Sequence, residues 1–153
     1  MATTTSKLDA AINWLADTLA ARAGLAGVQI ATGWLGGDTS GRESIQILDG
    51  LANQSWGGIG RLSREEELEL RLVIFVKRPG GNDSIIRTTR ARAFELLAEI
   101  EDAIRATAAA VSFGGLLRKS QITQIELEQG ANPNERWAQL NVTIEADKRL
   151  VST

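Results

Sequence analysis

The chain has 153 residues, of which 43% are hydrophobic and 24% charged, and its formal net charge is −2. These values are typical of one globular domain, which at this length buries roughly 70% of the surface of its unfolded chain. We therefore expect a single domain over residues 1–153, with residues 1–5 flexible. The slightly negative charge argues against nucleic-acid binding by the chain as a whole.

Three residue types that often carry chemistry are missing: cysteine, histidine and tyrosine. Their absence excludes disulfides, thiolate nucleophiles, triads that use imidazole, and metal sites built on His or Cys. Carboxylates and lysines remain as possible general acids and bases, and the sequence shows no pair of carboxylates placed to converge. We expect no enzymatic activity, no cofactor and no metal site.

The first predicted element is an amphipathic helix. The segment Ser6–Asp9 resembles a capping box, with Asp where Glu or Gln is usual. Four apolar residues then recur at helical spacing, and Gly24 ends the pattern. These residues are Leu8, Ile12, Leu15 and Leu19. Trp14 lies off this stripe, and two interpretations stay open. It could lie at the edge of the core, which we favour, or it could pack over a neighbouring subunit.

Two short strands and a glycine-rich segment follow. Alternating residues predict strands at 28–32 and 43–48, with a polar loop between them. Residues 50–60 hold Trp56 among four glycines, which predicts an ordered but irregular loop. A phosphate-binding loop is disfavoured, because no Lys-Ser/Thr pair and no helix N-terminus follows these glycines.

The clearest pattern in the chain predicts a long strand and then a long helix. Every second residue of 68–76 is apolar, so one strand face packs on a core. The other face starts acidic and turns apolar at Val73 and Phe75. The acidic run Arg64–Arg71 is interpreted as a solvated strand end rather than a metal site, and contact with a neighbouring subunit stays open. Pro79 and the glycines after it predict the end of the strand.

The helix after this turn has three candidate N-cap residues: Asn82, Asp83 and Ser84. Apolar residues recur at helical spacing along one of its faces. They are Ile86, Ala93, Leu97, Ile100 and Ile104.

The last third of the chain predicts a β-hairpin. The segment Phe113–Gly115 is expected to interrupt regular secondary structure after the helix. The alternation of the next strand slips by one residue between Ile122 and Ile125, which predicts a bulge. Residues 130–134 form a strong turn signal, and residues 138–146 alternate cleanly. Together the elements predict an α+β fold: a single domain with a mixed or antiparallel sheet of four to five strands, packed on two main helices.

In their order and lengths, these elements resemble the tail terminator family of long-tailed bacteriophages. The resemblance covers nearly the whole chain and is carried by the N-terminal amphipathic helix, the short strand Glu43–Ile47, the segments Arg64–Asp83 and Arg90–Ile104, and the closing segment Arg136–Leu150. Residues 51–60 depart from the family pattern, which leaves the partner of that segment open.

The resemblance implies a structural virion protein of the neck, assembled in the cytoplasm of a host bacterium. Six copies would form a ring on the head-proximal end of the tail tube, stop tube polymerisation and provide the surface for head attachment. The implied partners are other copies of the chain, the tail tube protein and a head-completion or connector protein. DNA would pass through the ring without sequence-specific binding, and no membrane is involved.

Candidate interface residues lie in three places: before the long strand, on its outer face and in the turn after it. They are Trp56, Arg61 and Arg64 in the predicted loop before the strand, Val73 and Phe75 on the outer face, and Arg78, Asn82 and Asp83 in the turn.

Three other functions stay open. A head-side connector or completion protein of the neck would share the same layout. A small enzyme or ligand-binding domain that uses carboxylates and arginine belongs to a different class. Nucleic-acid binding would need salt-dependent affinity from the weak basic patch of Arg87, Arg90 and Arg92.

Overall fold

The computed structural model describes residues 5–35, 42–57 and 63–151. Its elements are helix α1 (Leu8–Ala20), a 3₁₀ turn (Ala23–Leu25), strands β1 (Gln29–Ala31), β2 (Glu43–Trp56) and β3 (Ser63–Pro79), helices α2 (Asp83–Arg105) and α3 (Ala108–Val111), and strands β4 (Lys119–Asn132) and β5 (Glu135–Val151). They form an α+β domain with two main helices, and the five strands make one mixed sheet. The predicted fold class is confirmed.

The strands lie in the order β1-β2-β3-β5-β4. β1 pairs with β2 in parallel, whereas all other neighbours are antiparallel. β3 and β5 pair along their whole lengths, from Ser63 opposite Val151 to Pro79 opposite Glu135. This central pair is the scaffold on which the other strands and the helices are arranged.

The core lies between the sheet and the helices. Even-numbered residues of β3 and β5 point to the helix side, as the strand period of two requires. The fully or almost fully buried set includes Leu70, Leu72, Ile74, Val76, Leu140, Val142 and Ile144 of the sheet and Leu15, Leu19, Leu96, Ile100 and Ile104 of the helices. The predicted apolar stripes are therefore confirmed, with Leu8 and Ile12 partly buried at the margin.

The two main helices begin in different ways. At α2 the side chain of Asn82 accepts a hydrogen bond from the backbone N–H of Ile85 at 3.0 Å, so one of the predicted caps is confirmed. The capping box predicted for α1 is wrong, because the N-cap is Lys7 and its side chain makes no capping bond. Instead the carboxylate of Glu66 accepts from the backbone N–H of Lys7 at 2.8 Å. A distant strand residue thus places negative charge at this helix N-terminus, where the helix dipole favours it.

The predicted loop at residues 50–60 is wrong over its first half, because β2 continues to Trp56 and pairs with β3 throughout. A bulge between Ile47 and Asp49 lets the strand change register and continue. Gly50 packs closely against α1: a Cβ there would lie 2.7 Å from Leu8 Cδ1, so the Leu8 side chain would have to move. Residues 58–60 of the predicted loop lie outside the described residues.

Three candidate interface residues therefore sit elsewhere than predicted. Trp56 and Arg64 are directly opposite each other on β2 and β3 rather than in a loop, because long-range pairing orders both segments. Arg78 is the penultimate residue of β3 and not part of the turn, since the ladder with β5 extends to Pro79. Arg61 lies outside the described residues.

The C-terminal third matches its prediction except at the hairpin turn, which is confined to residues 133–134 rather than 130–134 because the ladder of β4 and β5 extends to Asn132 opposite Glu135. The bulge in β4 falls between Ile122 and Gln124, and β4 and β5 form the predicted hairpin. Phe113 has a positive φ of 49° and is followed by two glycines with positive φ, which explains why no helix or strand continues through this segment. Phe113 is buried, and its ring stacks on Trp14 at 4.4 Å between centroids. Trp14 is thus a residue at the edge of the core.

Candidate interaction surfaces

In the described part of the chain, one face of the sheet is not covered by a helix, and we call it the open face. It is lined by the odd-numbered residues of β3 and β5. At one end Glu67 lies opposite Asp147, and Glu69 lies opposite Glu145. Like charges directly opposite each other on antiparallel strands destabilise a sheet. Two such pairs in succession make this end of the open face rich in carboxylates, although Arg71 binds Glu69 at 2.9 Å and Lys119 lies opposite Asp147.

Arginines compensate the acidic end in part. Glu65 binds Arg149 Nε through Oε1 at 2.8 Å and Arg118 Nη2 through Oε2 at 2.5 Å. The hydrogen bond from Arg149, opposed by desolvation and aided by the charge of Arg118, lowers the pKa of Glu65. Arg118 also lies 3.3 Å from the carboxylate of Asp147. These contacts join β3, β5 and the segment before β4 at one corner of the sheet.

The other end of the open face is apolar and aromatic. Phe75 lies against Trp137, with 6.0 Å between ring centroids, and the Trp137 ring covers Gly130 on β4. Val73 and Phe75 are half-buried. The change from acidic to apolar along this face was predicted, and both candidate interface residues lie where the apolar part begins.

The end of β3 is held to α2 by a cluster of charges around Glu43. Glu43 Oε1 lies 2.5 Å from Arg78 Nη2 and 2.9 Å from Arg92 Nε. The hydrogen bonds and charges of the two arginines, Arg92 first, lower the pKa of Glu43 although burial opposes this. Arg92 also bonds Glu95, and the same partners raise its pKa. Arg78 is thus held within the chain by Glu43.

Two of the three arginines in the weak basic patch on α2 are paired with carboxylates, and the third is bonded to a neutral side chain. Arg92 is held by Glu43, Arg87 lies 2.6 Å from Asp83, and Arg90 donates to the side chain of Gln129 at 3.2 Å. Guanidinium groups that already bind carboxylates attract phosphate less, so this patch lends little support to nucleic-acid binding.

The predicted interface residues do not form one surface. Arg64 and Arg78 mark opposite ends of β3, about 45 Å apart at the usual rise of a strand. Asn82 and Asp83 are exposed beside the second end, and Trp56 is exposed beside the first. Whether any of these residues contacts a partner stays a prediction.

Sequence reasoning missed several exposed apolar side chains. Within the described residues, the large hydrophobic side chains with high exposure are Trp34, Leu51, Trp56, Phe94, Ile125 and Leu127. The alternation in β4 was visible in the sequence and predicted a strand with a bulge, but not which face of the sheet its apolar residues occupy. The structure leaves Ile125 and Leu127 uncovered because α2 lies over β3 and β5, and β4 is the outermost strand.

The described residues contain no group of three or more Asp and Glu side chains arranged to hold a metal ion. None of the helices described is both long and apolar enough to cross a membrane.

No protein-family model matches the chain, and neither does any curated protein. Among solved structures, the chain is similar to a protein chain in the virion of a native gene transfer agent (GTA) particle. The two chains share 12% sequence identity with a TM-score of 0.58, over 90% of this chain and 94% of the other. At this identity the match establishes a shared fold across nearly the full length of both proteins.

Proposed function

We propose that this chain is a structural virion protein of a tailed phage or phage-like particle. The observation that carries the proposal is the near full-length likeness in fold to a chain of a GTA virion. The charge clusters add support: Glu65 and Glu43 are each engaged by two arginines, as in structural ion pairs. We propose accordingly that the protein acts by assembly and not by catalysis.

Within the virion, we propose that copies of the chain form a ring on the head-proximal end of the tail tube. Such a ring stops polymerisation of the tube and offers a docking surface to the head. The proposal follows from the resemblance in sequence layout to tail terminators. A closed ring repeats one heterologous contact by rotation and leaves no free contact on which a polymer can grow.

The charge of the open face suits a ring through which DNA passes. The carboxylates of Glu67, Asp147, Glu69 and Glu145 repel phosphate at short range, and the neighbouring Arg71, Arg118 and Lys119 reduce this repulsion without reversing it. A channel wall of this kind lets DNA move past without binding it. We therefore propose that DNA crosses the ring without sequence-specific contacts.

Electron microscopy of lysates produced without this gene product tests the proposal. Overlong tails without heads are the expected result. Tails of normal length beside DNA-filled heads without tails would instead move the protein to the head side of the neck. Normal particles in normal numbers would contradict a role in the neck altogether. Restoration of normal tails by the wild-type gene in trans is the control.

A further inference from the structure

The sheet has two edges that no strand of the described chain occupies. On one side, β1 pairs only with Ser44–Gln46 of β2, which leaves residues 47–56 of β2 without a neighbour on that side. On the other side, β4 is outermost over its whole length. Unpaired backbone N–H and C=O groups make such edges templates for another strand.

Exposed apolar side chains cluster at these two edges. Of the six large exposed hydrophobic residues in the described chain, four lie on the two edge strands. Leu51 and Trp56 are on the free part of β2, and Ile125 and Leu127 are on β4. A fifth, Phe94, lies on α2 one helical turn after Arg90, which bonds Gln129 of β4.

Beyond their bulges, both edges lack the proline and lysine residues that most often block strand addition, although Asp49 places a charge on β2 and Glu126 and Glu128 place charges on β4. The bulges interrupt each strand once, before Asp49 in β2 and before Gln124 in β4. Beyond the bulges, residues 49–56 and 124–132 pair regularly with their inner neighbours and contain no Pro, Lys or Arg. The two free segments are thus regular, similar in length and open to pairing.

We propose that copies of this chain join edge to edge, with residues 49–56 of one copy paired to residues 125–132 of the next. β2 and β4 run in opposite directions, so two copies in the same orientation pair in antiparallel fashion. The occupant of each edge is then a second copy, and the contact is heterologous, as a ring requires. This inference deepens the proposed function, because it names the contact between the copies of the ring.

One register satisfies the face and length requirements together. Helix-side residues must lie opposite helix-side residues, because a slip by one residue reverses the faces. The whole of 49–56 must also lie opposite the part of β4 beyond its bulge. Both conditions place Trp56 opposite Ile125 and Asn53 opposite Glu128. On the open face, this register sets no carboxylate opposite another: Asp49 faces Asn132, Leu51 faces Gly130, and Ser55 faces Glu126.

A disulfide between Asn53→Cys and Glu128→Cys tests the contact in a chain with no cysteine of its own. Directly opposite residues of antiparallel strands have Cα atoms about 4.5–5.5 Å apart, which a disulfide can span. Within one copy these positions are three strand spacings apart across the sheet and eight residues apart along β3, from Glu67 to Phe75, so they are about 30 Å from each other and the bond forms only between copies. The matched control is Asn53→Cys with Gln129→Cys, whose side chains point to opposite faces.

Mild oxidation of the concentrated double variant should give a ladder of covalent multimers that a reductant removes, at about ten times the yield of the control. A mixture of the two single-cysteine chains should give heterodimers and stop there. Equal yields in the variant and the control, or only monomer, would overturn the proposal. Far-UV circular dichroism establishes that each variant is folded.

A second pair of variants tests the apolar part of the edge. Leu127→Lys should abolish multimer formation in the cysteine variant, whereas Ala91→Lys, which adds the same charge at an exposed position of α2, should leave it unchanged. Equal multimer yields in the two would overturn the edge contact. The cross-linking result is independent of the lysate experiment. If multimers are trapped but lysates without the gene product contain normal tails, only the proposed tail function is refuted. If those lysates contain overlong tails but no multimers are trapped, only the proposed contact is refuted.

Discussion

Glu43 at the start of β2 accepts two hydrogen bonds from one side chain, Arg92 of α2: Nε lies 2.9 Å from Oε1, and Nη2 lies 3.1 Å from Oε2. This bidentate pair joins the sheet to the long helix across 49 residues of sequence. Replacing Glu43 by Gln should lower the free energy of unfolding by about 1.5–3 kcal/mol, because a charge-assisted pair is lost at a largely buried site. Urea denaturation measures the change.

The control for this variant is Glu95→Gln. Glu95 contacts the same arginine, but its side chain is 64% exposed, and exposed ion pairs contribute about 0–1 kcal/mol. If Glu43→Gln lowers the free energy of unfolding by no more than Glu95→Gln does, the stabilising role of the Glu43 cluster is contradicted.

The Glu43 cluster also sets a pH dependence. Its arginines hold the pKa of Glu43 below the ordinary value of 4.5, so the unfolded chain binds this proton more readily than the folded one. The stabilisation that ionised Glu43 contributes is complete above pH 4.5. It is lost as the pH falls through the pKa that Glu43 has in the folded chain. The free energy of unfolding should therefore fall less steeply below pH 4.5 in Glu43→Gln than in the wild type. Parallel curves for the two proteins would contradict the prediction.

The cap of α2 is a separate source of stability. Asn82→Ala should lower the free energy of unfolding by about 1 kcal/mol, because the N–H of Ile85 loses its side-chain acceptor. Asn82→Asp is the matched control, since its carboxylate keeps an acceptor for this N–H and aspartate caps helices about as well as asparagine. Thermal unfolding followed by circular dichroism separates the two, and an equal change in both variants would refute the role of the cap.

Glycine is the only residue type that fits at position 130, because the Trp137 ring lies directly over it. A Cβ at this position would lie 2.2 Å from the Trp137 ring, so Gly130→Ala must displace the indole from its place beside Phe75. We expect a loss of about 1–3 kcal/mol and an altered near-ultraviolet circular dichroism spectrum. Gly33→Ala, where a Cβ meets nothing within 4 Å, should leave the spectrum intact; an intact spectrum in Gly130→Ala as well would show that the ring is not held there.

One substitution on the open face should increase stability. Glu145→Gln removes a carboxylate that lies opposite Glu69. Because Arg71 binds Glu69 at 2.9 Å and offsets part of the repulsion, its relief should add only about 0.2 kcal/mol at low salt, the low end for such pairs. The gain should shrink as salt screens the charges. Glu126→Gln, whose cross-strand neighbour is the neutral Asn141, serves as the control. Chemical denaturation at two salt concentrations measures both, and a loss of stability in Glu145→Gln would contradict the proposed repulsion.

Local patterns in the sequence predicted the parts of the fold that they determine. The alternation in β3 and β5, the stripe on α2, the Asn82 cap and the bulge near Ile122 are all readable from neighbouring residues. The second half of β2 was mistaken for a loop because its glycines and polar residues mask a strand that is ordered by pairing with β3. Likewise the backbone N–H of Lys7 at the start of α1 donates to the carboxylate of Glu66, 59 residues away. The residues around Lys7 give no sign of this contact.

The candidate surfaces were harder to predict for the same reason. Alternation places Ile125 and Leu127 on one face of a strand, but only the tertiary arrangement shows which face of the sheet this is and that no described helix covers that edge. The partners of Glu65 come from two later segments, before β4 and at the end of β5. The sequence therefore indicated that a strand end carries charge, whereas the free edges became visible only in the assembled sheet.

The position of the protein in the intact particle is the decisive observation. A cryo-electron microscopy map of the neck should contain density for this fold, repeated around the axis as a closed ring at the head-proximal end of the tail tube. Density for the chain anywhere else in the particle, or a mature particle that lacks the chain, would contradict the proposed function.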